Sequence, residues 1–187
     1  MVSIIRDVED RKAIEGRLSA EARTDPLTGL LNRRAFDRAL LTTASAVGAG
    51  EPVGCVALFD IDYFKRANDT YGQVAGDRVI QAFGKLAVAS VRAGDVVARI
   101  GGEEFALLLA GATIDQAAAV CEHLRASAAS HVVEDAGRPV RMIVSGGVAQ
   151  LFAGCEKQIL RDADAAMYQA KSRGRNTFAW APRNPVP

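Results

Sequence analysis

Arg99-Ile100-Gly101-Gly102-Glu103-Glu104-Phe105 joins two apolar runs: Val96, Val97 and Ile100 lead in, and Phe105 through Leu109 lead out. Both runs read as strands, and a glycine pair supplies the positive φ that a tight connection needs, so the stretch predicts a β-hairpin with Gly-Gly-Glu-Glu at its turn. Two carboxylates are thereby presented at an exposed turn. Glycine leaves no side chain to block a phosphate, and adjacent acids suit a turn that holds a cation.

A second acidic turn gives the first its meaning. Val53 to Phe59 is an apolar run of strand length that delivers Asp60-Ile61-Asp62 to its C-terminal end, where sheets with helical connections commonly present ligands. An aspartate ending one strand beside a glutamate on a neighbouring hairpin assembles a Mg²⁺-phosphate site from oxygen ligands. Like charges brought that close repel unless a cation intervenes. On chemistry alone, two solvated acidic turns that never meet remain the alternative. Asp62 is read as pointing to the opposite strand face from Asp60, and so as structural.

Composition bounds the rest. The chain has 187 residues, 49% of them apolar, enough for one substantial core with an attached segment. A formal net charge of +1 gives no electrostatic footprint for a nucleic acid polymer or an anionic membrane. Cys55, Cys121 and Cys155 form no CxxC pair and lie in apolar stretches, as buried thiols of a reducing cytoplasm do. The longest uncharged stretch, Met142 to Cys155, is too short to span a bilayer, so a cytoplasmic fragment without direct membrane contact is expected, even if a longer parent protein is tethered.

Val2 to Ile5 reads as a short strand, and Asp7 to Arg23, rich in charge and free of proline, as a helix. Val8, Ile14, Leu18 and Ala22 fall within a wedge of about 120°, which Arg11 shares, so its apolar stripe is weak. Asp25-Pro26 ends that helix, and another is expected from Arg33 to Val47. After the strand to Ile61, periodicity predicts a short helix over Phe64 to Thr70 and a longer one over Asp77 to Val91. Thr113-Ile114-Asp115-Gln116 has the form of a capping box and opens a further helix. Asp135-Ala136-Gly137 suggests a hairpin turn before a strand over Val140 to Val148, and Ile159, Ala163, Ala166, Met167 and Ala170 mark one more amphipathic helix, ended by Gly174. The fold class is α+β, an antiparallel-mixed sheet with helices packed on it.

Five separated segments resemble the GGDEF-type diguanylate cyclases, bacterial enzymes that condense two GTP into cyclic di-GMP. They are Asp25 to Arg34, Phe59 to Lys65, Asn68-Asp69 with Gly76-Asp77, Gly101 to Phe105, and Ala163-Asp164 through Ala170-Lys171 to Gly174-Arg175-Asn176. The resemblance runs from Thr24 to about Trp180 and implies a palm-like, ferredoxin-related fold. Ile4 to Lys12 looks like the last strand of a PAS sensor domain running into a signalling helix. The implied organisation is a dimerisation linker over 1–23, a cyclase domain over 24–182 and a tail over 183–187.

The resemblance also implies roles. Asp60, Glu103 and Glu104 are the catalytic acids. Asp60 and Glu104, with the Ile61 carbonyl, hold two Mg²⁺ per half-site, Mn²⁺ being an alternative, and Glu103 binds metal or deprotonates the attacking hydroxyl. Asn68 and Asp77 read guanine, since a carboxylate accepts both N–H donors of the guanine edge but repels the acceptor N1 of adenine. Lys65, Lys171 and Arg175 take the phosphates, with Phe64, Gly101 and Gly102 shaping the pocket. Gln73 stands where many members have His. Arg99 is read as structural.

Arg92-Ala93-Gly94-Asp95 resembles the family's inhibitory product site, at which cyclic di-GMP is an inhibitor as well as the product. His123 stands where a further arginine often completes that site, with Arg125 two residues on, so inhibition is expected to be weakened or rebuilt. A homodimer is implied, because the hydroxyl of one GTP must meet the α-phosphate of the other. The alternative is a degenerate module that binds GTP or cyclic di-GMP as a non-catalytic regulator; retention of Asp60, Glu103 and Glu104 favours the enzyme.

Overall fold

Alternation along the strand Pro52–Ile61 accounts for the architecture. Cys55, Ala57, Phe59 and Ile61 enter one buried cluster and Val56 and Leu58 another, because successive side chains leave opposite faces of a strand. A strand buried on both faces needs helices on both. The computed structural model describes residues 23–45 and 51–182. The expected strand over Val2 to Ile5, the helix from Asp7, the last residues of the helix to Val47 and the tail lie outside the described residues.

In chain order the elements are β1 (Leu31–Asn32), α1 (Arg33–Ala44), β2 (Pro52–Ile61), α2 (Phe64–Tyr71), α3 (Gln73–Ser90), β3 (Val96–Arg99), β4 (Glu104–Ala110), α4 (Ile114–Ser130), β5 (Val132–Asp135), β6 (Arg138–Arg141), β7 (Val144–Phe152), α5 (Glu156–Ser172) and β8 (Phe178–Trp180). Six strands form one sheet in the order β1-β3-β4-β2-β7-β8. β2 lies antiparallel between β4 and β7, and the outer pairs β1–β3 and β7–β8 are parallel. This is the expected α+β sheet. α3 and α4 cover one face, where Phe83 meets Phe105 edge to face at 4.8 Å between ring centroids. α1 and α5 cover the other through Phe36, Leu40, Ile159, Ala163 and Met167.

The predicted β3–β4 hairpin forms, with Val96 opposite Leu108 and Arg99 opposite Phe105, but neither Gly101 nor Gly102 takes the positive φ expected of it. Both halves of the capping box at Thr113 and Gln116 are made. Two expectations fail. The long helix starts at Gln73 rather than Asp77, because Gly72, at φ +89°, redirects the chain straight from α2 into α3. Gly76 and Asp77 therefore stand on the first turns of α3. The strand over Val140 to Val148 is divided: β6 pairs only with β5, in a separate ribbon turned at Ala136 and Gly137 with positive φ, whereas β7 pairs with β2. Alternating hydrophobicity runs through the break, since Met142 is buried between the two strands.

Burial pushes the Cys55 and Cys121 thiols up to about 11 and about 12, so both are inert packing residues. Among the described residues no helix is long and apolar enough to cross a membrane.

Close approach of α5 to the sheet rests on Gly147 of β7, where an added Cβ would run into the Ala163 carbonyl oxygen and the Met167 amide. The obstacle is backbone rather than a movable side chain. Gly147→Ala is therefore expected to cost at least about 1–3 kcal/mol, read as a lowered denaturation midpoint in guanidinium chloride; a wild-type midpoint would mean that α5 can shift without loss.

Candidate active site

Register brings the two acidic turns together. Asp60, near the end of β2, is directly opposite Glu104, the first residue of β4. Their strand neighbours Leu58 and Ala106 lie in the α1–α5 cluster, so alternation turns both acids to that face. There Lys171, in the last turn of α5, sets its Nζ 2.9 Å from Asp60 Oδ2. Burial first, then the charge of Asp60, pushes the Glu104 carboxyl above its ordinary value, and Lys171 opposes the shift. Asp164 and Glu103 add smaller repulsions. Asp164 carries no role in the sequence reading, although its position two helical turns before Lys171 was a signal for this face.

The turn is shaped to carry Glu104. Ile100 and Gly101 both donate their amides to the Glu104 carbonyl, at 2.9 and 3.3 Å. A Cβ on Gly101 would collide with the Glu104 carboxylate, so a side chain there would push that acid aside. The Ile61 amide donates to the Glu103 carbonyl at 3.3 Å and ties the hairpin tip to the end of β2. Arg99 braces the turn from below: Nη1 forks to both Asp25 oxygens at 3.1 Å, while Nε and Nη2 donate to the Gly102 carbonyl at 3.0 and 2.7 Å. Burial raises the Asp25 carboxyl, but hydrogen bonds from Thr28 and Arg99 outweigh it and hold it below the ordinary carboxylate value.

Asp62 is a correction. It does not point away from Asp60: its carboxylate accepts from Ser145 Oγ at 2.9 Å, and Ser145 is the residue of β7 opposite Asp60. Alternation returns residue i+2 of a strand to the same face as residue i. Its role is nonetheless structural, since the carboxylate also accepts from the Asn176 amide at 3.1 Å and lies 3.7 Å from Arg175 Nε. Arg175 stacks over the Tyr63 ring at 4.7 Å. The phosphate candidates Lys171 and Arg175 thus stand at one edge of the site, and the exposed Lys65 stands on α2.

Where α2 packs on α3, the residues expected to read guanine are gathered. Asn68 lies against Gly76 so closely that a Cβ there would strike its amide, and Asn68 Oδ1 is buried without a hydrogen-bond partner among the described residues. Asp77 is exposed on the next residue, and Phe64 packs on the core beside them. An orphaned buried acceptor beside a free carboxylate is a pair arranged for a ligand that brings N–H donors.

Arg92 and Asp95 stand apart from this site and are closed on local partners. Asp95 accepts from the Arg92 and Ala110 amides at 3.2 and 3.1 Å, and Arg92 Nη2 donates to the Ala110 carbonyl at 2.7 Å. They border a pocket of about 440 Å³ with Gln116 and Val120 of α4. Arg125 does not turn to it, being held by Glu122 and, at 3.0 Å, by Asn176 Oδ1.

Among the described residues no three His, Cys, Asp or Glu side chains form a ready metal cluster. Asp60 and Glu104 are a two-carboxylate site instead, which fits Mg²⁺: that ion takes one or two carboxylates and completes its shell with water and phosphate.

The family model for the GGDEF domain of diguanylate cyclases matches residues 22–177. The chain is 38% identical over 178 residues to the diguanylate cyclase DgcM of Escherichia coli K12, covering 94% of this chain and 42% of DgcM. It is 35% identical over 173 residues to DgcP of Pseudomonas aeruginosa, covering 90% of this chain and 26% of DgcP. It thus spans less than half the length of these relatives. The coiled coil and GGDEF domain of DgcB from Caulobacter crescentus, solved in complex with c-di-GMP, superposes with a TM-score of 0.81 at 30% identity, covering 96% of each chain. SiaD of Pseudomonas aeruginosa, solved with its activator SiaC, gives a TM-score of 0.81 at 32% identity, covering 96% of this chain and 70% of that one.

The raised Glu104 carboxyl makes a testable statement about stability. With a folded-state value above 4.5, the stability it contributes is present below that pH and is lost as pH rises through the folded value. Glu104→Gln removes the loss, so above that window the variant should be more stable than wild type by about 0.5–2 kcal/mol, with a flatter pH profile in thermal unfolding. Equal stability and equal slope would mean that the carboxylate is not under strain.

Proposed function

The chain belongs to the GGDEF-domain family of diguanylate cyclases, and from that premise we propose that it condenses two GTP into cyclic di-GMP with release of two pyrophosphates. The observation that carries this reading is the cross-strand pair Asp60–Glu104 with Lys171 on it, because such repulsion is kept where a cation and a polyphosphate come to relieve it. Mg²⁺, or Mn²⁺ in its place, would be held by Asp60, Glu104 and the Ile61 carbonyl and would supply charge neutralisation at the α-phosphate and the leaving pyrophosphate.

The residues divide the remaining work. Asp77 accepts the two N–H donors of the guanine edge, and Asn68 Oδ1 gains the partner it lacks. Lys171 exchanges Asp60 for triphosphate oxygens and is joined by Lys65 and Arg175, while Gly101 and Gly102 leave the approach open. Glu103, beside the metal ligands, takes the proton of the 3′-hydroxyl or adds a metal ligand. The freed 3′-oxygen attacks the α-phosphorus of the second GTP, a P–O bond forms, and the bond to the β-phosphate oxygen breaks with pyrophosphate as the leaving group. Repeating the step with roles exchanged closes the ring. Each half-site holds one nucleotide, so two chains face each other as a homodimer, with 1–23 as the pairing linker, 24–182 as the catalytic unit and 183–187 as a tail.

Cyclic di-GMP also acts as inhibitor at the pocket beside Arg92 and Asp95. The c-di-GMP complex of DgcB supports ligand binding by this kind of domain. Binding requires Arg92 to leave the Ala110 carbonyl, and His123 offers no guanidinium, so inhibition is weak.

Incubation with Mg²⁺ and GTP, followed by chromatography, should yield cyclic di-GMP and pyrophosphate, with ATP left intact. Glu104→Ala should lower the rate by roughly 10²- to 10³-fold or more. Intact GTP at high protein concentration would sink the enzyme in favour of a binding module. Arg92→Ala should raise the cyclic di-GMP concentration needed for half-inhibition by about tenfold; an unchanged curve would remove the inhibitory role.

A further inference from the structure

The far flank of α2 holds a cavity that the proposed reaction does not use. Its volume is about 320 Å³, at the small end of ligand sites, and its walls include Tyr63, Arg66, Thr70, Tyr71, Arg141 and Met142. At about 100° per residue, Arg66 and Thr70 lie on the side of α2 opposite Asn68, so the cavity and the proposed guanine site flank the helix without sharing those residues. The guanidinium groups of Arg66 and Arg141 have no hydrogen-bond or ion-pair partner among the described residues. Two more guanidiniums sit on the rings of the cavity: Arg175 over Tyr63 at 4.7 Å and Arg138 over Tyr71 at 5.5 Å.

The lone acid in the wall does not cancel this charge. The Asp62 side chain is fully covered and already bound by Ser145 and the Asn176 amide, so its oxygens are turned into the protein. What faces the cavity is two free forks, two aromatic surfaces and the apolar Met142 and Ala67. Guanidinium forks match phosphate oxygens, and tyrosine rings match a flat base whatever its hydrogen-bonding edge. We propose that this cavity is a second nucleotide site, taking a purine nucleoside monophosphate with its phosphate between Arg66 and Arg141 and its base against the tyrosines. Occupation would bear on the end of β2, since Asp62 and Tyr63 follow directly on Asp60 and Ile61. The proposal does not depend on the cyclase reading.

The test is calorimetric titration of the full chain with 5′-AMP, chosen because Asp77 repels adenine, alongside adenosine and inorganic phosphate. 5′-AMP should bind at least about tenfold tighter than either half-ligand, and Arg66→Ala with Arg141→Ala should weaken it by roughly tenfold or more. Asp77→Ala should leave it unchanged. Both arginines are exposed and have no side-chain partner among the described residues, so their removal spares the fold. No 5′-AMP binding up to about 5 mM, equal affinity for phosphate alone, or full affinity in the double variant would overturn the proposal. So would loss of binding in Asp77→Ala, which would place the nucleotide at the proposed guanine site.

Discussion

Two carboxylates held opposite each other by strand register set the terms for the rest of the molecule. Asp60 and Glu104 are neighbours because β2 and β4 pair antiparallel, with Phe59 opposite Phe105 and each strand pinned to a buried core. A one-residue slip would bury an acid and expose a phenylalanine, so the register that fills the core also fixes the site. The repulsion is met from the next layer by Lys171, whose helix comes close to the sheet over Gly147.

Other acids of the region are spent on holding the frame. Asp25 grips Arg99, which in turn holds the Gly102 carbonyl and so the hairpin tip. Asp62 ties β2 to Ser145 of β7 and to the Asn176 amide after α5, and fixes the loop that carries Arg175. The positive φ values at Tyr63, Arg175 and Asn176 lie in these tethered loops, where surrounding contacts hold backbone that would otherwise relax. The acids left exposed or repelling, Asp60, Glu104 and Asp77, are those suited to cations and N–H donors.

The Arg92–Asp95 corner shows how one motif supports two readings. Its hydrogen bonds close the link between α3 and β3 onto the end of β4, which suffices to account for both residues as structure. The adjoining pocket and the exposed side of Arg92 are what a ligand would meet there, and Arg125, held by Glu122 and Asn176, contributes nothing to it.

The amino-acid order by itself determined the elements whose signals are local: the glycine turn between two apolar runs, the capping box at Thr113, the amphipathic helix to Ala170, and the chemistry of the acids at the strand ends. It misjudged the start of α3, because Gly72 turns the chain directly from α2 into the next helix, and the division of β6 from β7, because apolar alternation continues through that break while the partner strand changes. Asp62 stands on the Asp60 side of the sheet, against Ser145, and not on the opposite face expected of it. Tertiary structure alone decided which distant groups meet: Arg99 with Asp25, Lys171 with Asp60, the unsatisfied Asn68 oxygen beside Gly76, and the arginines around Tyr63 and Tyr71. Pairings across many tens of residues depend on sheet order and helix placement, and these follow from packing of the whole core rather than from any segment of the chain.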